Sequence, residues 1–206
     1  MSGVKRALSP FYRVLELAGG FALHQKLGEP TLERYRQLIA RNLADTGGKH
    51  ILDIGCGIGA FRPCFPGPYT GIDINPAYVE KARTLQSGRF EAMDCTRLGF
   101  ADGSFDEVVT IATLHHIDDG EVERMVAEAI RVCRPGGHFH VIDAILPVAP
   151  NVFKTALFRL DRGNHPRTLA HHLAVIGRAA RIVEHQVLTG PLHDTAYARL
   201  TATPMT

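Results

Sequence analysis

Several patterns that would assign a function at once are missing from this sequence of 206 residues. Its 23 Lys and Arg residues nearly balance its 21 Asp and Glu residues, and no run of basic residues would form a positive surface for a phosphate backbone. Nucleic acid is therefore not an expected partner. No apolar run is long enough to span a bilayer, and Arg13 and Glu16 interrupt any signal-peptide core after Lys5 and Arg6. We predict a cytoplasmic protein.

Metal and disulfide patterns are also missing. The sequence has four cysteines, none in C-x-x-C spacing: Cys56, Cys64, Cys95 and Cys133. This usage favours reduced thiols over a disulfide framework. Histidine is abundant, with eleven copies, but the adjacent pairs at 115–116 and 171–172 point their rings in different directions. With no H-x-x-x-H spacing either, the sequence predicts no metal site.

A glycine-rich segment is the main feature that is present. Residues 50–54 are predicted to form a buried strand, which runs directly into Gly55-Cys56-Gly57-Ile58-Gly59. Glycine lets the backbone turn sharply and lets a ligand lie against it. A helix beginning after Gly59 would point its N–H groups at that ligand. The G-x-G-x-G spacing fits neither the dinucleotide fingerprint nor the phosphate loop, and a plain tight strand–helix connection remains an alternative.

Acidic residues follow the next two predicted strands. A strand from Tyr69 to Ile74 contains Asp73, about twenty residues after Asp53, where a carboxylate can accept hydrogen bonds from both hydroxyls of a ribose. A surface turn aspartate is the alternative for Asp73. The strand near residues 89–92 ends at Met93-Asp94-Cys95. We expect these strand ends to face one ligand.

Two histidines follow the fourth predicted strand, residues 107–111. They lie in Thr113-Leu114-His115-His116-Ile117. An imidazole at this place could take a proton from a nucleophile, because its pKa lies near neutrality. Alternatively, the first ring packs on a ligand and the second caps Asp118 or fills the core.

These segments together resemble the class I S-adenosylmethionine-dependent methyltransferases. Asp53-Ile-Gly-Cys-Gly-Ile-Gly59 resembles the first motif of that family. Residues 99–106 resemble its L-P-F-x-D-x-S-F-D loop, with Gly99 in place of the proline, and residues 131–137 resemble its turn before the fifth strand. The segment at 113–117 is similar to that of members that methylate small molecules. The segment between the fifth strand and the last hairpin resembles that of small ubiquinone-type methyltransferases. The resemblance covers residues 48–143 well and the C-terminal hairpin in outline.

The resemblance implies a fold and a cofactor. The fold is an α/β, Rossmann-like, doubly wound sheet of seven strands in the order 3-2-1-4-5-7-6, with a C-terminal antiparallel hairpin and an N-terminal helical extension. The cofactor is S-adenosyl-L-methionine, with Asp94 hydrogen-bonded to the adenine amino group. The predicted cofactor contacts are Asp53, Gly55, Cys56, Gly57, Gly59, Asp73, Ile74, Met93, Asp94, Cys95 and Thr110.

The domain plan has a helical extension at residues 1–47 and a methyltransferase domain at residues 48–206. Helices predicted at 9–18 and 31–44 would pack on the sheet or form a lid. The prolines of residues 61–68 allow only a turn or two of helix. Residues 144–167 are a possible substrate-binding insert, in which Arg162 or Arg167 could clamp a carboxylate or phosphate. Arg162 could instead pair with Asp161 or Asp143.

The predicted function is methylation of an O, N or C atom of a small metabolite. Where Asn-Pro-Pro-Tyr or Asp-Pro-Pro-Tyr would indicate methylation of an amide or base nitrogen, this chain has Thr110-Ile-Ala-Thr. His115 or His116 is the predicted base for a hydroxyl acceptor. The alternatives are RNA or protein methylation, and a cofactor-binding regulatory module without transferase activity.

Overall fold

The computed structural model of the chain describes residues 20–152, 154–155, 165–190 and 193–202, and the side chains of this set from residue 31 onward. Within that set, seven strands form one mixed sheet in the order β3-β2-β1-β4-β5-β7-β6. The strands are β1 (Ile51–Ile54), β2 (Tyr69–Asp73), β3 (Arg89–Ala92), β4 (Phe105–Ile111), β5 (Cys133–Ile145), β6 (Arg181–Leu188) and β7 (Asp194–Thr201). The first five pair in parallel, and β7 runs antiparallel to both β5 and β6. The predicted sheet order and the predicted hairpin are confirmed.

Helices pack on both faces of the sheet. They are α1 (Gly20–Asn42), α2 (Pro76–Leu85), α3 (Asp119–Val132) and α4 (Leu169–Ile176). On one face, Leu38 and Ile39 of α1 belong to an apolar cluster with Val109 of β4. On the other face, Met125 and Val126 of α3 pack in a second cluster that includes other residues of the sheet. Two covered faces make the fold doubly wound, as predicted.

The start of α1 differs from its prediction. The sequence predicts a helix from residue 31, with Gly20 ending an earlier one, but α1 begins at Gly20 and continues through Pro30. Proline and glycine are unfavourable inside a helix, so the prediction from composition begins this helix too late. The predicted helix at 9–18 lies outside the described residues. The C-terminal half of α1 packs on a face of the sheet, as one of the two interpretations of this segment expects. The role of a lid stays a prediction.

Side-chain caps set the starts of the two helices that follow β2 and β4. Asn75 accepts a hydrogen bond from the Ala77 N–H at the start of α2. Asp118 and Glu121 form a reciprocal capping box at the start of α3. Each cap satisfies N–H groups that the first helical turn leaves without a partner. No helix in the described part of the chain is long and apolar enough to cross a membrane.

Two connections near β1 and β5 differ in detail from the predictions. After β1 the structure has a single 3-10 turn, Arg62–Cys64, so no α-helix begins at Gly59 to aim its dipole at a ligand. The short connection itself is as predicted from the prolines. The turn predicted before the fifth strand is a bulge inside β5, because the register jumps from Phe105 opposite Cys133 to Glu107 opposite His138.

Candidate active site

The glycine loop follows β1 directly and turns across the end of the sheet. Gly55, Gly57 and Gly59 all have positive φ (79°, 55° and 77°), a backbone conformation that L side chains rarely adopt. A Cβ at Gly55 would overlap the side chain of Thr113, whereas a Cβ at Gly57 would have no atom within 4 Å. The loop therefore presents bare backbone to an open space at Gly57, which is the cradle that a bound cofactor requires.

Asp73, at the end of β2, holds this loop in place. Its Oδ2 accepts a hydrogen bond from the Gly57 N–H at 3.0 Å, and its Oδ1 accepts one from the Asn75 N–H at 2.8 Å. Burial raises the pKa of Asp73, although these hydrogen bonds oppose the rise. A carboxylate has about four acceptor positions, so Asp73 can also accept from a ligand diol.

The end of β3 lies beside Asp73. The Met93 N–H donates to the Asp73 carbonyl oxygen at 3.0 Å. The next residue, Asp94, is exposed, and its Oδ1 accepts hydrogen bonds from the Thr96 N–H and hydroxyl, each at 2.8 Å. Ile74 lies at the same edge with 66% of its surface exposed. The structure thus brings the glycine loop and two predicted acidic positions to one edge.

Other predicted cofactor contacts have side chains directed away from this edge. Thr110 is fully buried, and its hydroxyl donates to the Ile54 carbonyl at 2.9 Å, which braces β4 against β1. The Cys56 side chain packs in the core beneath the loop, and burial raises the pKa of its thiol. Burial also raises the pKa of Cys95 to about 12, which keeps it a neutral thiol. The side chains of Thr110 and Cys56 are therefore not positioned to contact a ligand at this edge.

Asp53 lies beneath the glycine loop with 2% of its surface exposed. Its Oδ2 accepts a hydrogen bond from the Tyr69 hydroxyl at 2.6 Å. Its Oδ1 is buried and has no hydrogen-bond partner among the residues described. Burial raises the pKa of Asp53 to about 7, the Tyr69 hydrogen bond opposes the rise, and the charge of Asp73 adds to it. Buried polar atoms are usually satisfied, so this oxygen is available to a donor from outside the described residues, such as a bound ligand.

A buried carboxylate on β5 supports the histidine pair. His115 lies in the 3-10 turn Leu114–His116, and its Nδ1 is 2.5 Å from Asp143 Oδ1. Its backbone N–H donates to Asp143 Oδ2 at 2.9 Å. Burial raises the pKa of Asp143, but the charge and hydrogen bond of His115 outweigh it and the pKa is lowered. An ionised Asp143 makes Nδ1 the donor, so Nε2 is the basic nitrogen of His115.

Two more histidine rings lie beside the dyad of His115 and Asp143. The His116 ring centroid lies 4.0 Å from that of His115. His172 of α4 is 1% exposed. Burial lowers the pKa of His172, and the nearby charge of Asp143 opposes the shift. The charge interaction between His172 and Asp143 in turn helps to lower the pKa of Asp143.

Arg167 binds the backbone of the turn that contains His115. Its guanidinium donates to the carbonyl oxygens of Leu114 and Ile117 at 2.7 and 2.8 Å, and to Asp119 at 2.8 Å. With 4% of its surface exposed, Arg167 is engaged by the protein, so this geometry disfavours the predicted contact with substrate. It acts on the site by positioning the turn that contains His115. Arg162, the other predicted clamp, lies outside the described residues.

Ala112 marks the junction between β4 and this turn. Its φ of 55° is the one positive value at a non-glycine position in the part of the chain that the structure describes. Its N–H donates to the Ile142 carbonyl at 2.8 Å, which holds the strained residue in place. Backbone strain of this kind tends to lie at functional sites. No sequence signal identified Ala112.

Comparison with known proteins gives a consistent result. A family model described as "Methyltransferase domain" matches residues 52–141, which contain the glycine loop, Asp73, Asp94 and the histidine pair. The chain is 36% identical over 107 residues to a phthiotriol/phenolphthiotriol dimycocerosates methyltransferase of Mycobacterium tuberculosis, covering 48% of this chain and 39% of that protein. It is 33% identical over 159 residues to the sterol 4-C-methyltransferase strm-1 of Caenorhabditis elegans, covering 72% and 44%.

Solved structures share the fold at low sequence identity. The magnesium protoporphyrin IX methyltransferase of Synechocystis PCC 6803, solved with bound SAH, has a TM-score of 0.64 and 17% identity, covering 84% of this chain and 83% of that one. The chain spans less than half the length of the two curated relatives above. Their activities and substrates are therefore properties of those longer proteins.

Proposed function

We propose that the chain is a class I S-adenosylmethionine-dependent methyltransferase that transfers a methyl group to a small-molecule acceptor, as the match of residues 52–141 to a methyltransferase domain supports. The observation that carries this proposal is the hydrogen bond between Gly57 and Asp73. It joins a glycine loop with an open face to a carboxylate at the neighbouring strand end. A fold alone does not fix a reaction, so the proposal depends on this site and on the dyad beside it.

The residues at the strand ends fit the cofactor. The bare backbone at Gly57 leaves room for it, Asp73 would accept hydrogen bonds from its ribose, and the exposed Asp94 carboxylate would accept one from its adenine amino group. The unpaired buried oxygen of Asp53 would be satisfied by a cationic or donor group of the same ligand. When bound, the cofactor supplies an electrophilic methyl group on a sulfonium.

His115 is the proposed general base for a hydroxyl acceptor. Its Nδ1 is held by Asp143, so Nε2 would take the acceptor proton while the carboxylate stabilises the imidazolium. The buried carboxylate that orients its ring is the reason for proposing His115 as the catalytic residue. Asp143 and Arg167 act as positioning residues, since one orients the ring and the other fastens its turn.

The proposed acceptor is a lipid-like or polyketide-like metabolite with a hydroxyl group. The near-neutral net charge of +2 gives no basic surface for nucleic acid. The M. tuberculosis and C. elegans relatives are named for a lipid and a sterol.

The experiment uses S-adenosylmethionine with a deuterated methyl group and pools of hydroxylated lipids and polyketides. We expect mass spectrometry to find a labelled methyl group on a small molecule. His115→Gln should lower turnover by about 100- to 10,000-fold while cofactor affinity is kept, and His185→Gln on exposed β6 is the matched control. Label in RNA or protein instead would refute the acceptor class. Cofactor binding without any methylated product would identify a binding module.

A further inference from the structure

A second group of side chains lies at the opposite end of the strands. Glu107 of β4 pairs directly with His138 of β5, and His140 follows two residues later on the same face of that strand, because side chains alternate along a strand. Glu107 lies three residues before Thr110, and His140 three before Asp143. At roughly 3.3 Å per residue, this group is about 10 Å along the strands from the edge with the glycine loop.

The ligand-type atoms of these three residues already converge. His140 Nε2 lies 3.2 Å from Glu107 Oε2, and His138 Nδ1 lies 3.7 Å from the same oxygen. One ligand atom from each residue lies within 4.8 Å of the other two. In a tetrahedral zinc site with bonds of about 2.0–2.1 Å, ligand atoms are roughly 3.3–3.4 Å apart. Small side-chain rotations would therefore bring all three to bonding distance.

A second set of contacts orients these groups. The Tyr197 hydroxyl lies 3.0 Å from His140 Nδ1. Tyr197 can accept that N–H, which leaves Nε2 as the ligating nitrogen. Lys49 Nζ contacts Glu107 Oε1 at 3.1 Å, on the oxygen that the histidines do not face. The side chain of His138 is 32% exposed, so an ion and a completing water can reach the group from solvent.

Other charged groups lie close to the three residues. Lys49 opposes a bound cation, as does Arg199, whose charge acts on His140. Arg199 is paired with Glu184 at 3.0 Å, which offsets its charge. The hydrogen bonds that Glu107 accepts from the His138 N–H and from Lys49 hold its carboxylate in one orientation.

We propose that Glu107, His138 and His140 bind one divalent transition metal, with zinc as the best match to two imidazoles and a carboxylate. The metal would join β4 to β5 at the edge opposite the candidate active site. This inference does not depend on the proposed methyl transfer.

The test begins with the full chain freed of metal by a chelator. It is then titrated with Zn²⁺ against a chromophoric competitor. We expect one zinc per chain, a rise in melting temperature with zinc, and a loss of affinity of about tenfold or more in His138→Ala. His138→Gln serves as a second variant. His185→Ala, on an exposed position of β6, is the matched control and should bind zinc as the wild type does.

Cobalt substitution identifies the ligands. We expect a visible spectrum of nitrogen and oxygen ligation, absent from His138→Ala and present in His185→Ala. Failure of the wild-type chain to bind zinc would overturn the proposal. So would unchanged affinity in both His138 variants, or a thiolate-to-cobalt charge-transfer band, which would place the metal on a cysteine.

Discussion

The Asp53 carboxyl group lies under the glycine loop, where burial raises its pKa to about 7. In the unfolded chain the same group titrates near 3.8. Between these values the folded state holds a proton that the unfolded state has lost. The contribution of Asp53 to stability should therefore fall as pH rises from about 4 to about 7, and level off above that.

The variant Asp53→Asn tests this linkage, because an amide has the shape of the protonated acid and does not titrate. We expect it to be more stable than the wild type at pH 8, by an amount on the order of a few kcal/mol, and this gain to disappear near pH 4. Urea unfolding at several pH values measures the effect. Asp45→Asn at an exposed position should show no such trend. A constant difference between Asp53→Asn and the wild type at every pH would refute the raised pKa.

At the scale of residues, the sequence predicts the site residues that lie within or beside a recognisable motif. The glycine loop, Asp73 and Asp94 were predicted from the segments around them, and the structure brings them together. Asp143 and Ala112 were missed as site residues, since their roles depend on contacts across strands. The prediction of no metal site is untested; it considers adjacent histidines and H-x-x-x-H spacing but not alternate positions on a strand, such as His138 and His140.

At the scale of elements, Arg167 ties the segment before α4 to the turn at 114–117. The variant Arg167→Met would leave the Leu114 and Ile117 carbonyls without these donors. We expect a loss of about 1–3 kcal/mol in the free energy of unfolding. Chemical denaturation provides the measurement.

Arg178→Met provides the control for that variant. Arg178 makes an exposed ion pair with Glu123 at 3.8 Å, so its loss should change stability by less than about 0.5 kcal/mol. Equal effects of the two substitutions would show that Arg167 does not fasten the turn.

Element boundaries were predictable where a local signal marks them. Asn75 followed by Pro76 predicts the start of α2, and the apolar spacing from Val122 predicts the buried face of α3; both are confirmed. The start of α1 and the bulge in β5 were not predicted in place. The bulge depends on the register with β4, which local composition does not encode, and α1 continues through Pro30 although composition favours a break there.

At the scale of the whole molecule, the sheet order came from the family resemblance and not from any single segment. Alternating strands and helices predict a doubly wound sheet, but the place of β7 between β5 and β6 needed knowledge of the family. The candidate cofactor site lies at the ends of the first strands, and the proposed metal site lies between the first half of β4 and the middle of β5.

The most direct measurement is a calorimetric titration of S-adenosylmethionine into the wild-type chain, Asp73→Ala and Asp45→Ala. We predict one binding site in the wild type, equal affinity in Asp45→Ala, and binding weaker by about 1–3 kcal/mol in Asp73→Ala through lost hydrogen bonds. Absence of binding by the wild type, or equal affinity in Asp73→Ala, would contradict the account.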